Sequence, residues 1–507
     1  MSTSDLYPPF RPEQEVRLAV VMYGGVSLAI YIHGVAQELL SLVRATAPER
    51  PFRAAEDSPE VGGRGQAALL SAAADAPPGR RLRGAEAVYR KLGQLLPRAA
   101  GPASPPTAPP AGDPIRTRFV VDILSGTSAG GINGIFLAKS LAANRPMDAL
   151  RRLWVEEGDL AKLINDGRSY ADEVGDLRRQ DPPASLLNSR RMYAKLLLAL
   201  ARMDLGSEPP ETPFVDELDL FVTATDIDGL PLELPQGDVT VSERRHKNVF
   251  HFRYACGDDG SSANDFGADV NPFLAFAARS TSSFPFAFEP MALGDIDEVL
   301  DLAVFAQPEF ERLRFPRADH PDWSRFYEAY LRDSDRPPKP FQAVAFGDGG
   351  YLDNKPFTHA IAALKRRRAD FPVDRKLVYV EPAPEHPERD PRRDGKPDAL
   401  ENVFAALLEL PRYETIHEDL ESVEELNRLV DRVGVVLGGR DYDSPHWGTE
   451  RARRAASRVG GGKDWRSEDL SDMVRRYGLG YGAYHRLKVA VVTDHLANLV
   501  ANLAGYR

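Results

Sequence analysis

The spacing of apolar residues changes from strand-like to helical within one short stretch, 118–142. Val120, Val121, Ile123 and Leu124 form a compact run of the kind a buried strand shows. Ile132, Ile135, Phe136 and Leu141 then continue at helical spacing. Between them lies Gly126-Thr127-Ser128-Ala129-Gly130, a G-x-S-x-G on a predicted strand-to-helix turn. Such a turn is either an ordinary small-residue connection or a nucleophile elbow, which lifts one hydroxyl off the sheet edge where only glycine tolerates the crowding on either side. The helix that follows turns its amides and positive dipole end toward any oxyanion developing at Ser128. Gly130 and Gly134 lie four apart, on one helical face, which suits close packing of that helix on the sheet.

The same two rhythms order the rest of the chain. Arg17–Met22 reads as a first strand, Gly24-Gly25-Val26-Ser27 as a turn, and Leu28, Ile32, Val35, Leu39 and Leu42 as a helical stripe. A glycine pair there is either a tight turn or a place where bare backbone N–H groups meet an anion. From Thr46 to Pro114 the composition shifts to Ala, Pro, Gly and Arg, with Glu86–Leu96 as an isolated helix. Residues 46–117 therefore read as a surface insertion between two core strands. Helices are predicted at 147–164, 189–203, 271–279 and 355–368, and strands at 220–227, 248–254, 341–346 and 376–380. This alternation indicates an α/β core over 1–385. The remainder, 386–507, carries helical periodicity at 398–410, 411–433 and 484–504, and reads as a mainly helical C-terminal region.

Composition narrows the partners. The 507 residues are 43% hydrophobic and 27% charged, as in a soluble globular protein, with a net charge of −11. That charge, without an extended basic stripe, argues against nucleic acid as a partner. The single cysteine, Cys256, leaves no intrachain disulfide and no multi-cysteine metal site, which suits a reducing, cytoplasmic setting. The N-terminal segment lacks the charged-then-apolar design of a signal peptide. Its most apolar run, 18–32, is too short to span a bilayer and contains Gly24-Gly25.

A serine nucleophile needs a base. Histidine is the usual one, in a Ser-Asp-His arrangement, but His33, His251 and His359 sit in no motif, and few strands precede Ser128. Asp348 is another candidate: it ends a predicted strand and is followed by Gly349-Gly350, so its carboxylate could accept the serine proton directly. A bare D-G-G is also a common turn.

Together, Gly24-Gly25-Val26, Gly126-Thr127-Ser128-Ala129-Gly130-Gly131 and Asp348-Gly349-Gly350 before Asn354-Lys355-Pro356 resemble the patatin-like phospholipase family. Thr223-Ala224-Thr225-Asp226 and Ala278-Arg279-Ser280-Thr281-Ser282-Ser283-Phe284-Pro285 are similar to two of its connecting blocks. The resemblance implies a three-layer α/β/α patatin-like core with a helical C-terminal extension. It implies a lipid acyl hydrolase without metal or other cofactor, acting through a Ser128–Asp348 dyad and an acyl-enzyme. Gly24, Gly25 and Val26 would form the oxyanion hole, Gly126 and Gly130 would shape the elbow, and Gly349 and Gly350 would complete the proton-acceptor motif. The expected partner is a lipid or acyl-ester substrate, with transient, peripheral contact at a membrane surface. Two residues depart from the pattern: Tyr23 stands where the family's glycine loop has its first glycine, and Ser27 where it has a basic residue. Two other readings stay open, a catalytically weak lipid-binding or regulatory protein on this scaffold and a Ser-His-Asp esterase or thioesterase. Phe284, Phe286 and Phe288 are either acyl-channel lining or core.

Overall fold

The computed structural model describes residues 14–25, 28–47, 84–96, 115–157, 160–205, 214–236, 239–256, 262–332, 337–367 and 373–382, with shorter pieces at 334 and between 396 and 504. By its internal packing the chain divides into two compact units, Met1–Glu414 and Thr415–Arg507.

The first unit is built on a mixed seven-stranded sheet. Its strands are β1 (Gln14–Met22), β2 (Thr117–Gly126), β3 (Glu217–Gln236), β4 (Val239–Cys256), β5 (Ser262–Asn264), β6 (Phe346–Asp348) and β7 (Val373–Val380). The order is β5-β4-β3-β2-β1-β7, with β6 pairing to β3 off this path. The strands β3, β2, β1 and β7 run parallel, and β4, β5 and β6 add antiparallel pairs. Helices cover both faces: α1 (Ala29–Thr46), α2 (Glu86–Leu95), α3 (Ala129–Ala143), α4 (Asp148–Glu156), α5 (Ser189–Asp204), α6 (Asn271–Thr281), α7 (Ser324–Leu331) and α8 (Phe357–Leu364). This is the expected α/β core, with helices in layers on either side of the sheet.

Of the longest helices in this unit, α1, α3 and α5, the most completely buried is α3. Every residue from Ala129 to Ala142 is buried, as an all-round apolar helix requires. It sits close to the sheet because Gly130 and Gly134 present no side chain. A Cβ on Gly130 would lie 2.2 Å from the Met22 carbonyl oxygen, and one on Gly134 would lie 3.2 Å from Leu220 Cδ1. Strand alternation then sorts the neighbours of β3. Leu220 and Val222 face α3, whereas Phe221 points to the other layer, where its ring stacks on His251 and on His359 of α8.

Three expectations are modified. The strand predicted at 341–346 is a 3₁₀ turn at Phe341–Ala343 followed by the short β6, because Phe341 turns its ring into a cluster with Tyr327, Tyr330 and Phe346. The helix inside the insertion is not isolated. Tyr89 of α2 donates to Glu38 at 2.7 Å, and Arg90 donates to the carbonyls of Ala45 and Ala47 at the end of α1. The aromatic run at 284–288 splits, with Phe288 buried beneath Arg279, Phe284 half-buried and Phe286 66% exposed. The rest of the insertion, 48–83 and 97–114, lies outside the described residues. Within 386–507 the described elements are helical, at Ala399–Phe404 and 417–433 and in pieces from 488 to 503.

The packing of the helices predicts opposite outcomes for two glycine substitutions, at Gly34 on an open face of α1 and at Gly130 in α3. Gly34→Ala places its methyl where nothing lies within 4 Å, and should raise stability by about 0.5–1 kcal/mol. Gly130→Ala drives a methyl into backbone and should lower stability by about 1–3 kcal/mol or more. Chemical denaturation midpoints of the two variants check this, and equal midpoints would contradict the packing described.

Candidate active site

Two strands approach each other head-on along one edge of β3. Gly126, the last residue of β2, pairs with Val222, while Asp348, the last residue of β6, pairs with Ala224. The opposite edge of Ala224 is taken by Asn248 of β4. The two strand ends are therefore separated by two positions of β3, about 7 Å at the usual strand rise. There the chain after β2 turns into α3 through Ser128, and the chain after β6 turns away through Gly349. The turn at Gly349 passes so close to β3 that a Cβ would meet Thr223 Oγ1 at 2.2 Å.

Ser128 adopts φ 53° and ψ −126°, a conformation that costs a non-glycine residue on the order of 1–3 kcal/mol. Several contacts hold it there. The Thr127 amide donates to Met22 O at 3.2 Å, and the Thr127 hydroxyl lies 2.6 Å from that of Thr223 and donates to Asp353 O at 2.9 Å. The Ser128 amide donates to Thr281 Oγ1 at 2.9 Å. Ala129 N donates to Gly24 O at 3.3 Å and Gly130 N to Thr127 O at 2.9 Å. The amides of residues 128–130 are thus already engaged, contrary to the expectation that the start of the helix offers free donors. Donors remain instead in the glycine loop. Among the described residues no hydrogen bond engages the amides of Gly24 or Gly25, and Gly24 reaches the elbow through the bond from Ala129. Val26 and Ser27 lie outside the described residues.

Asp348 is 3% exposed and Ser128 8%. As the cross-strand partner of Ala224, Asp348 shares the face of the sheet that carries α3. One of its carboxylate oxygens accepts from the Gly350 amide at 2.7 Å. Its backbone amide donates to Ser283 O at 3.3 Å, and its carbonyl accepts from the Thr225 hydroxyl at 2.8 Å. Behind it lies a fully buried cation: Arg279 donates to Ser189 Oγ at 2.9 Å and Ser283 Oγ at 3.1 Å, with its guanidinium 3.9 Å from the centre of the Phe288 ring. Burial pulls the Arg279 guanidinium down to about 10, against the opposing charges of Glu289 and Asp348. Burial, and then the Asp348 charge, push the Tyr351 phenol up to about 12, so it donates to Ser283 O at 3.0 Å.

The structure thus brings Ser128, Asp348, the elbow glycines Gly126 and Gly130, Gly349, Gly350 and the loop glycines Gly24 and Gly25 to one end of the sheet. The histidines are elsewhere. His251 is bonded to Asp219 at 2.5 Å and His359 to Asp353 at 3.2 Å, both on the α8 face. His33 is buried in α1 near the charges of Arg151 and Asp148, and burial lowers its pKa. Among the described residues the Ser128 hydroxyl makes no hydrogen bond. Sequence reasoning gave no role to Thr127, Thr223, Thr281 and Ser283, the hydroxyl and carbonyl partners that fix the two turns. Thr281 and Ser283 were marked by the density of small hydroxyl residues in Ser280-Thr281-Ser282-Ser283, and Thr127 and Thr223 only by their place in the blocks around Ser128 and Asp226. No cluster of side chains suited to a metal ion occurs among the described residues.

Residues 115–361 match the model of the family described as patatin-like phospholipase, so a patatin-like phospholipase domain spans this part of the chain. The match begins after β1 and the glycine loop. Over 400 residues the chain is 27% identical to a protein of Mycobacterium tuberculosis named uncharacterized membrane protein Rv3479, across 78% of this chain and 30% of that protein. The chain thus spans about a third of the length of this relative. No solved structure matches it. Among the described residues no helix is long and apolar enough to cross a membrane.

Thr281→Val keeps the shape at the elbow but leaves the Ser128 amide without its acceptor. It should cost about 1–3 kcal/mol, read from the denaturation midpoint, whereas an unchanged midpoint would mean that this bond does not hold the turn.

Proposed function

We propose that the patatin-like phospholipase domain of this chain hydrolyses acyl esters of lipids, with Ser128 as nucleophile and Asp348 as its base. The observation that carries the reading is the head-on meeting of β2 and β6, which leaves a strained serine and a buried carboxylate at one gap in the sheet edge. The family match supports a lipid substrate.

The reaction follows from the groups present. Ser128 Oγ attacks the ester carbonyl carbon while its proton passes to the Asp348 carboxylate. The carbonyl oxygen becomes an oxyanion, bound by the free amides of Gly24 and Gly25. As the carbon–oxygen bond breaks, the leaving alcohol takes the proton from Asp348, and the acyl group stays on Ser128. Water then attacks this ester, giving its proton to Asp348, and the tetrahedral intermediate collapses to free fatty acid as Asp348 returns that proton to Ser128 Oγ. The Gly350 amide steadies one oxygen of Asp348 through both halves.

Positions on the α8 face, and existing bonds to Asp219 and Asp353, make His251 and His359 poor bases for Ser128 and weigh against a Ser-His-Asp triad. The second reading, a weakly active lipid-binding protein, draws on the unbonded Ser128 hydroxyl; a nucleophile–base hydrogen bond commonly tightens only when substrate binds.

Contact with a lipid surface belongs to the same proposal. Ile30 and Tyr31 in the first turn of α1, Leu352 after the Asp348 turn, and Phe286 after Ser283 are all exposed near this end of the sheet. Phe286 holds φ 64° while projecting into solvent, a conformation unusual for a bulky residue.

Incubation with a mixed lipid extract, with released fatty acids read by mass spectrometry, tests the function. The protein should release fatty acids with chelator present, and Ser128→Ala and Asp348→Asn should each lose on the order of 10⁴-fold or more in rate. Replacing His33, His251 and His359 one at a time should leave release intact. Hydrolysis surviving in Ser128→Ala would defeat the reading. For surface contact, Phe286→Asn should reduce co-sedimentation with phosphatidylcholine vesicles, and undiminished sedimentation would remove Phe286 from that role.

A further inference from the structure

We propose that Glu381, bridging the phenols of Tyr23 and Tyr379, is a positioning residue that fixes the oxyanion-binding amides of Gly24 and Gly25. The inference rests on the acyl-transfer reading above.

β1 and β7 are parallel neighbours whose ladder ends at the Met22–Val380 pair. Tyr23 and Glu381 therefore leave the sheet side by side, at the base of the glycine loop. Their side chains then lock the two exits together. The Tyr23 hydroxyl donates to Glu381, and the Tyr379 hydroxyl donates to the same carboxylate oxygen at 2.8 Å. The two rings stack with centroids 5.7 Å apart and planes 6° from parallel. The Lys355 ammonium lies 5.1 Å from the centre of the Tyr23 ring, in reach of a cation–π attraction. Burial, followed by the bonds to Tyr23 and Glu381, raises the Tyr379 phenol far above its ordinary range, so it remains a donor.

This cross-link acts on the next residue. Gly24 has φ 149°, and a Cβ on it would meet Pro382 Cγ at 2.8 Å, so the chain following Glu381 forms a wall against the loop. On its other side Gly24 is held by the bond from Ala129, the residue after the nucleophile. Gly24 is thus gripped between the end of β7 and the elbow, and among the described residues of the loop the amides of Gly24 and Gly25 make no hydrogen bond. Tyr23, which departs from the family's loop pattern, becomes the residue through which the grip is applied. Oxyanion donors must be placed finely: a shift of about 1 Å can cost on the order of 100-fold in rate, and losing one donor costs about 10²–10³-fold.

The test compares Glu381→Gln, Tyr23→Phe and the unmodified protein for kcat and KM on an ester substrate, and for the rate at which a fluorophosphonate labels Ser128. Tyr23→Phe keeps the ring stack and loses only the hydrogen bond, so it reports even if Glu381→Gln folds poorly. Both variants should show kcat lowered about 10- to 100-fold with KM within about twofold, and labelling slowed in parallel. A purely structural role would lower the thermal midpoint while leaving kcat per labelled site unchanged. Wild-type kcat and labelling in both variants, beside an unmodified protein that is labelled at Ser128, would overturn the positioning role alone. An unmodified protein that neither hydrolyses esters nor takes the label would overturn the function and this inference together.

Discussion

Two strands cannot occupy the same stretch of a neighbour's edge, and the site is built from that exclusion. β3 is longer than β2, so its edge beyond Val222 is open, and the three residues of β6 fill it from the opposite direction. Both chains must then leave the sheet within a gap of about two residue spacings. One leaves through Ser128 into a fully buried helix, and the other through Asp348 into a glycine turn. Residues distant in sequence are brought together by the hydrogen-bond ladder of a third strand.

Keeping that gap in order requires the polar groups inside it to be satisfied, because each buried donor or acceptor left without a partner costs free energy. Thr127, Thr223 and the Asp353 carbonyl join the two turns directly. Thr281 and Ser283, from the end of α6 and the residues after it, hold the Ser128 and Asp348 amides from one short segment. The strained backbone at Ser128 persists because these bonds over-determine it. Arg279, fully buried behind Asp348, sets a positive charge near the carboxylate, and its own donors go to Ser189 and Ser283.

Much of this was legible in the chain, and for a physical reason. Ser128 sits where strand periodicity gives way to helical periodicity, and glycines flank it wherever backbone crowds, as at Gly130 against Met22. Asp348-Gly349 carries the same mark, since no other residue clears Thr223. What stayed hidden depended on pairing across long separations. The apolar run at 341–346 read as a strand because periodicity cannot tell a ladder residue from one whose ring turns into an aromatic cluster. Tyr23 read as a defect in the loop because its partners, Tyr379 and Glu381, are set by the neighbouring of β1 and β7, which no local pattern announces. The helix at the start of the elbow read as an oxyanion site, yet its first amides are spent on Gly24, Thr127 and Thr281.

The proposed reaction requires that Ser128 become covalently acylated. Mixing the protein with a slowly hydrolysed lipid ester, quenching in acid and mapping peptide masses measures this directly. One acyl mass is expected on the peptide containing Ser128, formed and lost at rates that match turnover. Turnover with no acyl mass on that peptide, or with the acyl group on another residue, would contradict it.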